Sequence, residues 1–426
     1  MTKHPYNIGF ISTRFAGTDG VSLETEKWAE VLTEQLGHHC YYFAGDCDRP
    51  ADQSMVVPKA YYRHPEVKRV HDQFFSRKLR TPRDTQWIWE NKNFLKSKIQ
   101  DFIYTYQIDI LIVENALSIP IQIPLGWALT EIIAETGFPT IAHHHDFSWE
   151  RKRFLVNCIQ DYINMAFPPN LDFIQHVVIN SHAHHQLARR RGTGAMLVPN
   201  VMNYREEAPR ADEYNADLRE ALGIQPDELF ILQPTRIVER KGIEHAIELV
   251  RRIGKKARLV ISHASGDEGE DYPQRVSEYA QLMGVDIICA ERFFKPQRKQ
   301  NPDGSKVYNI WDAYIKADLV TYPSEFEGFG NAFLEAVYFR KPIVVNNYSI
   351  YSTDIKSKGF KVVEFDNFVT DKTVDDTIAV LNDPDLAQEW AEKNYKLARK
   401  YFSYEVLKTK LQILLANAFG TNNIGL

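Results

Sequence analysis

Short apolar runs alternate with longer amphipathic stretches along this chain, and that rhythm restricts the fold more than any other feature. Runs of strand length at residues 8–11, 40–43, 109–113, 140–142 and 177–180 are separated by segments such as 22–36 and 127–136, where apolar residues recur at helical spacing. A strand brought back by a helix to lie beside its predecessor in the same direction builds a parallel sheet covered by helices. The rhythm is interrupted near residues 200–210, where Pro199, Pro209 and a charged run intervene. It resumes with strands at 229–233, 257–261, 285–289, 319–322, 343–346 and 361–365 and helices at 245–253 and 275–283. The pattern predicts an α/β protein of two Rossmann-like, doubly wound domains, residues 1–203 and 204–403. A length of 426 residues fits two such domains better than one core. Residues 383–418 read as helical, which is long for a domain end.

Charge and cysteine usage narrow the function classes. The 51 basic and 56 acidic residues leave a net charge of −5, so nothing asks for nucleic acid or an anionic membrane as a partner. Cys40, Cys47, Cys158 and Cys289 are scattered, lack paired metal spacing and read as reduced. Residues 1–6 lead into the first strand with no signal-type apolar segment, and no run approaches the length that crosses a bilayer. The expectation is a soluble cytoplasmic protein, and a homodimer is compatible with it.

The most informative segment is 324–336, Ser-Glu-Phe-Glu-Gly-Phe-Gly-Asn-Ala-Phe-Leu-Glu-Ala. It follows the strand-like run 317–323 and sets Glu327 and Glu335 on either side of a glycine-rich turn that opens a helix. The first amides of a helix attract anions, so Gly328, Phe329, Gly330 and Asn331 offer a place for a phosphate. Glu335 falls about one turn into the helix and Glu327 at the expected loop tip, so both carboxylates can accept hydrogen bonds from a polyol. A phosphate flanked by sugar hydroxyls describes a nucleotide sugar. The plainer alternative is a solvated helix edge with its cap.

A second motif, residues 233–242, lies between a strand and a helix. Arg236 and Lys241, five apart across a loop, can converge on a pyrophosphate, one as a planar fork and the other as a point charge. Taken alone it would be a solvated basic loop. The two motifs resemble the E-x7-E signature and the R-x4-K pair of retaining glycosyltransferases of family 4, which have the GT-B fold: two Rossmann-like domains facing a central cleft, with a last helix, here about 404–426, returning to the N-terminal domain. The resemblance implies a C-terminal domain that binds the nucleotide sugar and an N-terminal domain that binds the acceptor.

In the N-terminal half, the loop at 13–24 contains Gly17 and Gly20 and opens a helix. It lacks the Gly-x-Gly-x-x-Gly dinucleotide fingerprint, which removes the main support for an NAD-dependent enzyme. It is similar to the family's first loop, which sits beside the donor diphosphate. His143-His144-His145-Asp146 ends an apolar strand, where open α/β sheets place their ligands. Alternate side chains of an extended segment point to opposite faces, so His143 and His145 share a side while His144 turns away, and a three-histidine metal site is not expected. In the resembled family a histidine at this strand end approaches the donor sugar; His145 with Asp146 matches best, and His144 is second. At least one of these rings is expected to hydrogen-bond within the core. Downstream, Trp149 can stack on a sugar ring and Arg151 or Arg153 can hold a carboxylate or phosphate; a solvated helix start is the alternative.

The resemblance implies that Glu335 binds the nucleotide ribose, Glu327 the donor sugar hydroxyls, and Arg236 and Lys241 the diphosphate. It also implies front-face attack by the acceptor hydroxyl with the leaving phosphate as base, so no protein nucleophile is needed. No cofactor is expected for the chemistry, and magnesium is expected at most to stimulate it. Nothing in the motifs separates UDP-glucose from GDP-mannose. Residues 328–346 look most like mannosylglucosylglycerate synthase-type enzymes, which points to GDP-mannose and a small anionic sugar acceptor such as glucosylglycerate. A phosphorylase using inorganic phosphate and a non-catalytic sugar-nucleotide-binding protein stand as the other readings.

Overall fold

The computed structural model describes residues 5–17, 19–264 and 271–420. Residues 1–4, Thr18 of the first loop and residues 421–426 of the expected returning helix lie outside the described residues. The chain divides into two compact units, Met1–Asn200 with Tyr404–Leu426, and Val201–Ser403.

In the first unit, β1 (Asn7–Ile11), β2 (His39–Ala44), β3 (Ser54–Val56), β4 (Ile110–Glu114), β5 (Thr140–His144), β6 (Ile174–Val178) and β7 (Met196–Leu197) form one sheet in the order β3-β2-β1-β4-β5-β6-β7. Every pairing is parallel. The order reverses between β1 and β4, and such a reversal opens a crevice at the carboxyl ends of the two strands. The register brings Val113 beside Ala142 and Glu114 beside His143 at that edge. Apolar side chains of β1, β2 and β4, among them Ile11, Phe43, Leu111 and Val113, are fully buried against helices.

The longest of those helices, Pro82–Thr105, is not singled out by the sequence pattern. Thr81 and Asp84 cap its start reciprocally and Pro82 occupies its first turn. Ile88, Leu95, Ile99 and Phe102 are buried, but Trp89, Phe94 and Tyr104 stay exposed and blur the apolar stripe. Its approach to the sheet is close: a β-carbon on Gly9 would lie 2.8 Å from the Phe102 ring.

The second unit contains β8 (Leu229–Arg236), β9 (Ala257–His263), β10 (Ile287–Cys289), the hairpin β11 (Lys299–Gln300) and β12 (Lys306–Val307), and then β13 (Leu319–Tyr322), β14 (Ile343–Asn346) and β15 (Val363–Phe365). The main sheet runs β10-β9-β8-β13-β14-β15, again parallel, with the reversal between β8 and β13. Both units therefore have the Rossmann-like doubly wound order that the rhythm predicts.

The long C-terminal helical stretch is two helices, Pro384–Tyr401 and Tyr404–Phe419. The break falls at Phe402, whose buried ring stacks on Phe360 and meets Phe329 edge-on inside the second unit. The helix after the break belongs to the first unit, where Tyr404 donates to Glu30 at 2.7 Å and Gln175 donates to the Leu414 carbonyl at 2.9 Å. The units divide after Asn200, a few residues before the expected boundary. Val201 and Tyr204 are buried in the second unit, and the Tyr204 hydroxyl donates to the Leu334 carbonyl at 3.1 Å. This segment is a packed strap, because its apolar side chains outweigh the Pro and charged residues around it.

Truncation of Phe102, which joins the long helix to β1 and β2, should leave a cavity. F102A is expected to lower the stability of the first unit by about 3–5 kcal/mol, measured as a shifted denaturant midpoint.

Candidate active site

The carboxyl ends of β8 and β13 lead into loops that are pinned to each other. Gly242 has φ +56°, and a β-carbon there would come within 2.6 Å of the Pro323 carbonyl oxygen. Only glycine combines that left-handed backbone with so close an approach. The Glu325 amide donates to the Arg240 carbonyl at 2.9 Å, and the Arg240 guanidinium reaches the Phe326 carbonyl at 3.4 Å.

Across this contact the Lys241 ammonium and the Glu327 carboxylate form a direct ion pair, and Arg240 approaches the second Glu327 oxygen at 3.3 Å. Lys241 also lies 5.7 Å from the centre of the buried Tyr322 ring. Burial pushes the Glu327 carboxyl up, but Lys241 and Arg240 outweigh it and hold the group below its ordinary value. Burial lowers the Lys241 ammonium, with Arg240 and Arg236 adding to the effect against the pull of Glu327. The same field reaches β9, where burial, Arg236 and Lys241 all lower His263, the residue in register with Arg236. One ionised carboxylate thus stands among several cations, and the excess positive charge suits an anion.

Glu327 is 8% exposed, so it does not stand at the loop tip as expected; Phe326, at 46%, does. The carboxylate turns inward because Lys241 and Arg240 solvate it there. Past the turn, Gly330 has φ +135°, and a β-carbon would lie 2.6 Å from the Tyr348 hydroxyl, which itself donates to the Phe329 carbonyl at 2.8 Å. The helix Asn331–Tyr338 follows, and Glu335 on it accepts from Tyr314 at 2.9 Å. Arg236 ends β8 and is exposed.

In the first unit the corresponding edge carries a second buried carboxylate. Glu114, fully buried at the end of β4, is bonded to His143 Nδ1 at 3.1 Å and to His145 Nε2 at 2.9 Å. His143 is stacked on Trp28 with centroids 4.2 Å apart. Burial pushes Glu114 up, and the two histidines more than reverse it, to about 2. The ligand atoms of Glu114, His143 and His145 lie within 4.8 Å of one another, a spacing that a metal ion could also use; the hydrogen bonds account for it. Next to Glu114, Asn115 has φ +58°, accepts from the His145 amide at 2.8 Å and donates to Asp146 at 3.1 Å.

His144 points to the other face, as alternation requires, and is 1% exposed. Its Nε2 lies 2.8 Å from His176 Nδ1, and its ring packs on Phe147. The His144 ring thus lies in the core of the first unit.

Residues 215–397 match the family described as glycosyl transferases group 1. A mannosylglucosylglycerate synthase from Thermotoga maritima is 32% identical over 437 aligned positions, covering 94% of this chain and 97% of that protein. One from Petrotoga mobilis is 31% identical and covers 84% of this chain and 86% of its own length. The chain belongs to this glycosyltransferase family. It is an enzyme of the hexosyltransferase class that uses a nucleotide sugar. A glycosyltransferase structure from Rickettsia africae superposes with a TM-score of 0.68 over 97% of this chain and 98% of its own at 15% identity, a likeness of fold, and the two Rossmann-like units are those of the GT-B architecture.

Within the glycosyltransferase, the expected residues separate into groups. Glu327 and Lys241 meet directly, and Arg236 shares their field. His145 and Asp146 are held by Glu114 and Asn115, and Asp146 is ion-paired with Arg151. Arg153 lies 4.7 Å over the Phe154 ring. Trp149 stacks on Phe147 at 4.4 Å and borders a groove of about 240 Å³ with Arg190 and Arg191, two cations that the sequence reading did not single out. Gly17 donates its amide to Asp48 at 2.8 Å, and Gly20 begins the helix Gly20–Glu30 capped by Asp19. Glu114, Asn115 and Arg240 were also missed. A charge immediately after the apolar run of β4 is the signal that could have found Glu114.

Two outcomes follow from this packing. G242A forces a β-carbon against the Pro323 carbonyl in a left-handed backbone, and should destabilise the second unit by about 1–3 kcal/mol while weakening nucleotide binding, read by thermal unfolding and calorimetry. The buried His176 is lowered to about 4, chiefly by burial. Its neutral folded form contributes stability that is intact above the ordinary value near 6.5 and is lost as pH falls toward about 4, by roughly 3 kcal/mol. H176Q should flatten that part of the stability profile in denaturant titrations at pH 7 and pH 4.5.

Proposed function

We propose that this glycosyltransferase is a retaining mannosyltransferase that moves mannose from GDP-mannose to a hydroxyl of glucosylglycerate. The observation that carries the donor half is the Lys241–Glu327–Arg240 group at the carboxyl ends of β8 and β13. It keeps a carboxylate ionised for sugar hydroxyls beside cations for a diphosphate. The acceptor and product rest on the two relatives named mannosylglucosylglycerate synthase, which align along most of this chain.

In this reading the second unit binds the donor. Arg236 and Lys241 neutralise the diphosphate as it leaves, the amides of Gly328, Phe329, Gly330 and Asn331 line the sugar and phosphate, Glu327 accepts from the sugar hydroxyls and Glu335 from the ribose. In the first unit His145, Asp146, Trp149, Arg151 and Arg153 serve the substrate. The acceptor hydroxyl attacks from the face the leaving group departs, giving up its proton to the phosphate, so the protein supplies charge and orientation and no metal is required. Four cysteines without disulfides support a cytoplasmic compartment.

The deciding experiment is calorimetry of the protein with GDP, UDP and their mannose and glucose conjugates, with and without magnesium. Selective binding of GDP-mannose, followed by mannosyl transfer to glucosylglycerate with retention of anomeric configuration, is expected. UDP-glucose preference would overturn the donor. E335A should weaken the bare nucleoside diphosphate about 10-fold, near 1.4 kcal/mol. E327A should leave that affinity nearly unchanged, because Lys241 and Arg240 are then released to the phosphates, yet should slow transfer by about 100-fold, near 2.7 kcal/mol.

A further inference from the structure

Glu114 has no part in the function proposed above, yet it is among the most completely buried charges of the first unit and sits at the sheet's topological reversal. A buried carboxylate held ionised by two imidazoles can only accept, so both ring nitrogens that face it must carry hydrogen. For His143 this fixes hydrogen on Nδ1 and leaves Nε2 as the bare nitrogen. Among the described residues that atom is buried without a hydrogen-bond partner, and the ring is stacked on Trp28, so His143 is suited to remain neutral. For His145 the same logic fixes hydrogen on Nε2, at 2.9 Å from Glu114, and leaves Nδ1 as the only ring nitrogen that can meet a ligand.

The backbone completes the clamp. Asn115, in a left-handed conformation uncommon for a residue with a side chain, accepts the His145 amide at 2.8 Å and the Ser118 hydroxyl at 3.0 Å, and donates to Asp146 at 3.1 Å. Glu114 and Asn115, consecutive at the end of β4, thus hold His143, His145 and Asp146 at and just past the end of β5. A conformation of that kind persists where the surroundings over-determine it, which is common at functional sites.

We propose that Glu114 is a positioning residue of the transfer reaction: by binding His143 and His145 together it sets which nitrogen of His145 is left to meet the substrate and holds the ring in place. The inference rests on the reading of His145 given above. The groups that face the His145 ring are Glu114 from β4, Glu24 from the helix Gly20–Glu30, His143 from β5 and Asp146 beside it. Burial lowers His145, and Glu114, with Glu24 and Asp146, more than offsets it, so the ring is raised above its ordinary value. His143 is driven the other way by burial and by His145. The two imidazoles bound to one carboxylate thus shift in opposite directions.

The test is a double-mutant cycle. The amide of E114Q offers one acceptor and turns its NH2 toward the other ring, so one histidine must change tautomer. E114Q is expected to lower kcat by about 30-fold, with donor KM within about 3-fold, but to cost less than about 3-fold when introduced into H145Q. The pH profile of kcat should also shift in E114Q, as the charge that raises His145 is removed. An equal loss in both backgrounds, or an unchanged pH profile, would overturn the proposal. Should E114Q fail to fold, nitrogen-15 spectra of histidine-labelled wild-type protein decide it: the signal absent from H145Q must report hydrogen on Nε2, and a neutral ring with hydrogen on Nδ1 alone would overturn it. A wild-type protein that turns over no nucleotide sugar would count against the proposed function, while the spectrum would still read the Glu114–His145 arrangement.

Discussion

The ion pair between Lys241 and Glu327 is the interaction on which the second unit's site depends. It joins the loop after β8 to the loop after β13, two segments brought side by side only because those strands are neighbours at the reversal of the sheet. Glycine at 242 permits the loops to touch, and the Glu325 amide on the Arg240 carbonyl holds them there. Removing water from this group makes the attraction stronger and makes either charge costly alone, so the carboxylate and the cations are bound to one geometry. The surplus of positive charge is what remains available for an anionic ligand.

The first unit solves a similar problem with different chemistry. Glu114 at the end of β4 and Glu327 after β13 occupy corresponding places, because each strand is the first one past the reversal of its sheet. Both are buried carboxylates held ionised by nitrogen donors, histidines in one case and Lys241 with Arg240 in the other. Histidine donors respond to pH and choose between two tautomers, whereas a lysine and an arginine hold a charge across the working range. The first unit is accordingly able to present an orientable proton donor, and the second a permanent charge pattern.

Much of this was legible in the chain. The apolar rhythm located most strands of both sheets, since parallel strands buried on both faces are nearly continuous apolar runs. The helix Pro82–Thr105 escaped it because Trp89, Phe94 and Tyr104 face solvent and hide the stripe formed by Ile88, Leu95, Ile99 and Phe102. The alternation of His143, His144 and His145 followed from strand geometry alone. The partners could not: His176 and Glu114 lie some thirty residues away from these rings in the chain, and only strand register brings them into contact. The neighbours of Arg151 and Arg153 were hidden in the same way, since local charge says nothing about Asp146 or the Phe154 ring lying against those cations.

The sequence by itself determined the layered α/β architecture, the two-unit division and the short motifs around Lys241 and Glu327, because periodicity, turn residues and short motif spacings are local properties of a chain. The tertiary structure decided which charges are spent on each other and which remain for a ligand. Glu327 turned inward to Lys241, His144 entered the core, and Glu114 emerged between two histidines. The reason is that ionisation, tautomer and solvent exposure depend on neighbours drawn from distant strands and on the water they exclude, and neither is written in any short stretch of residues.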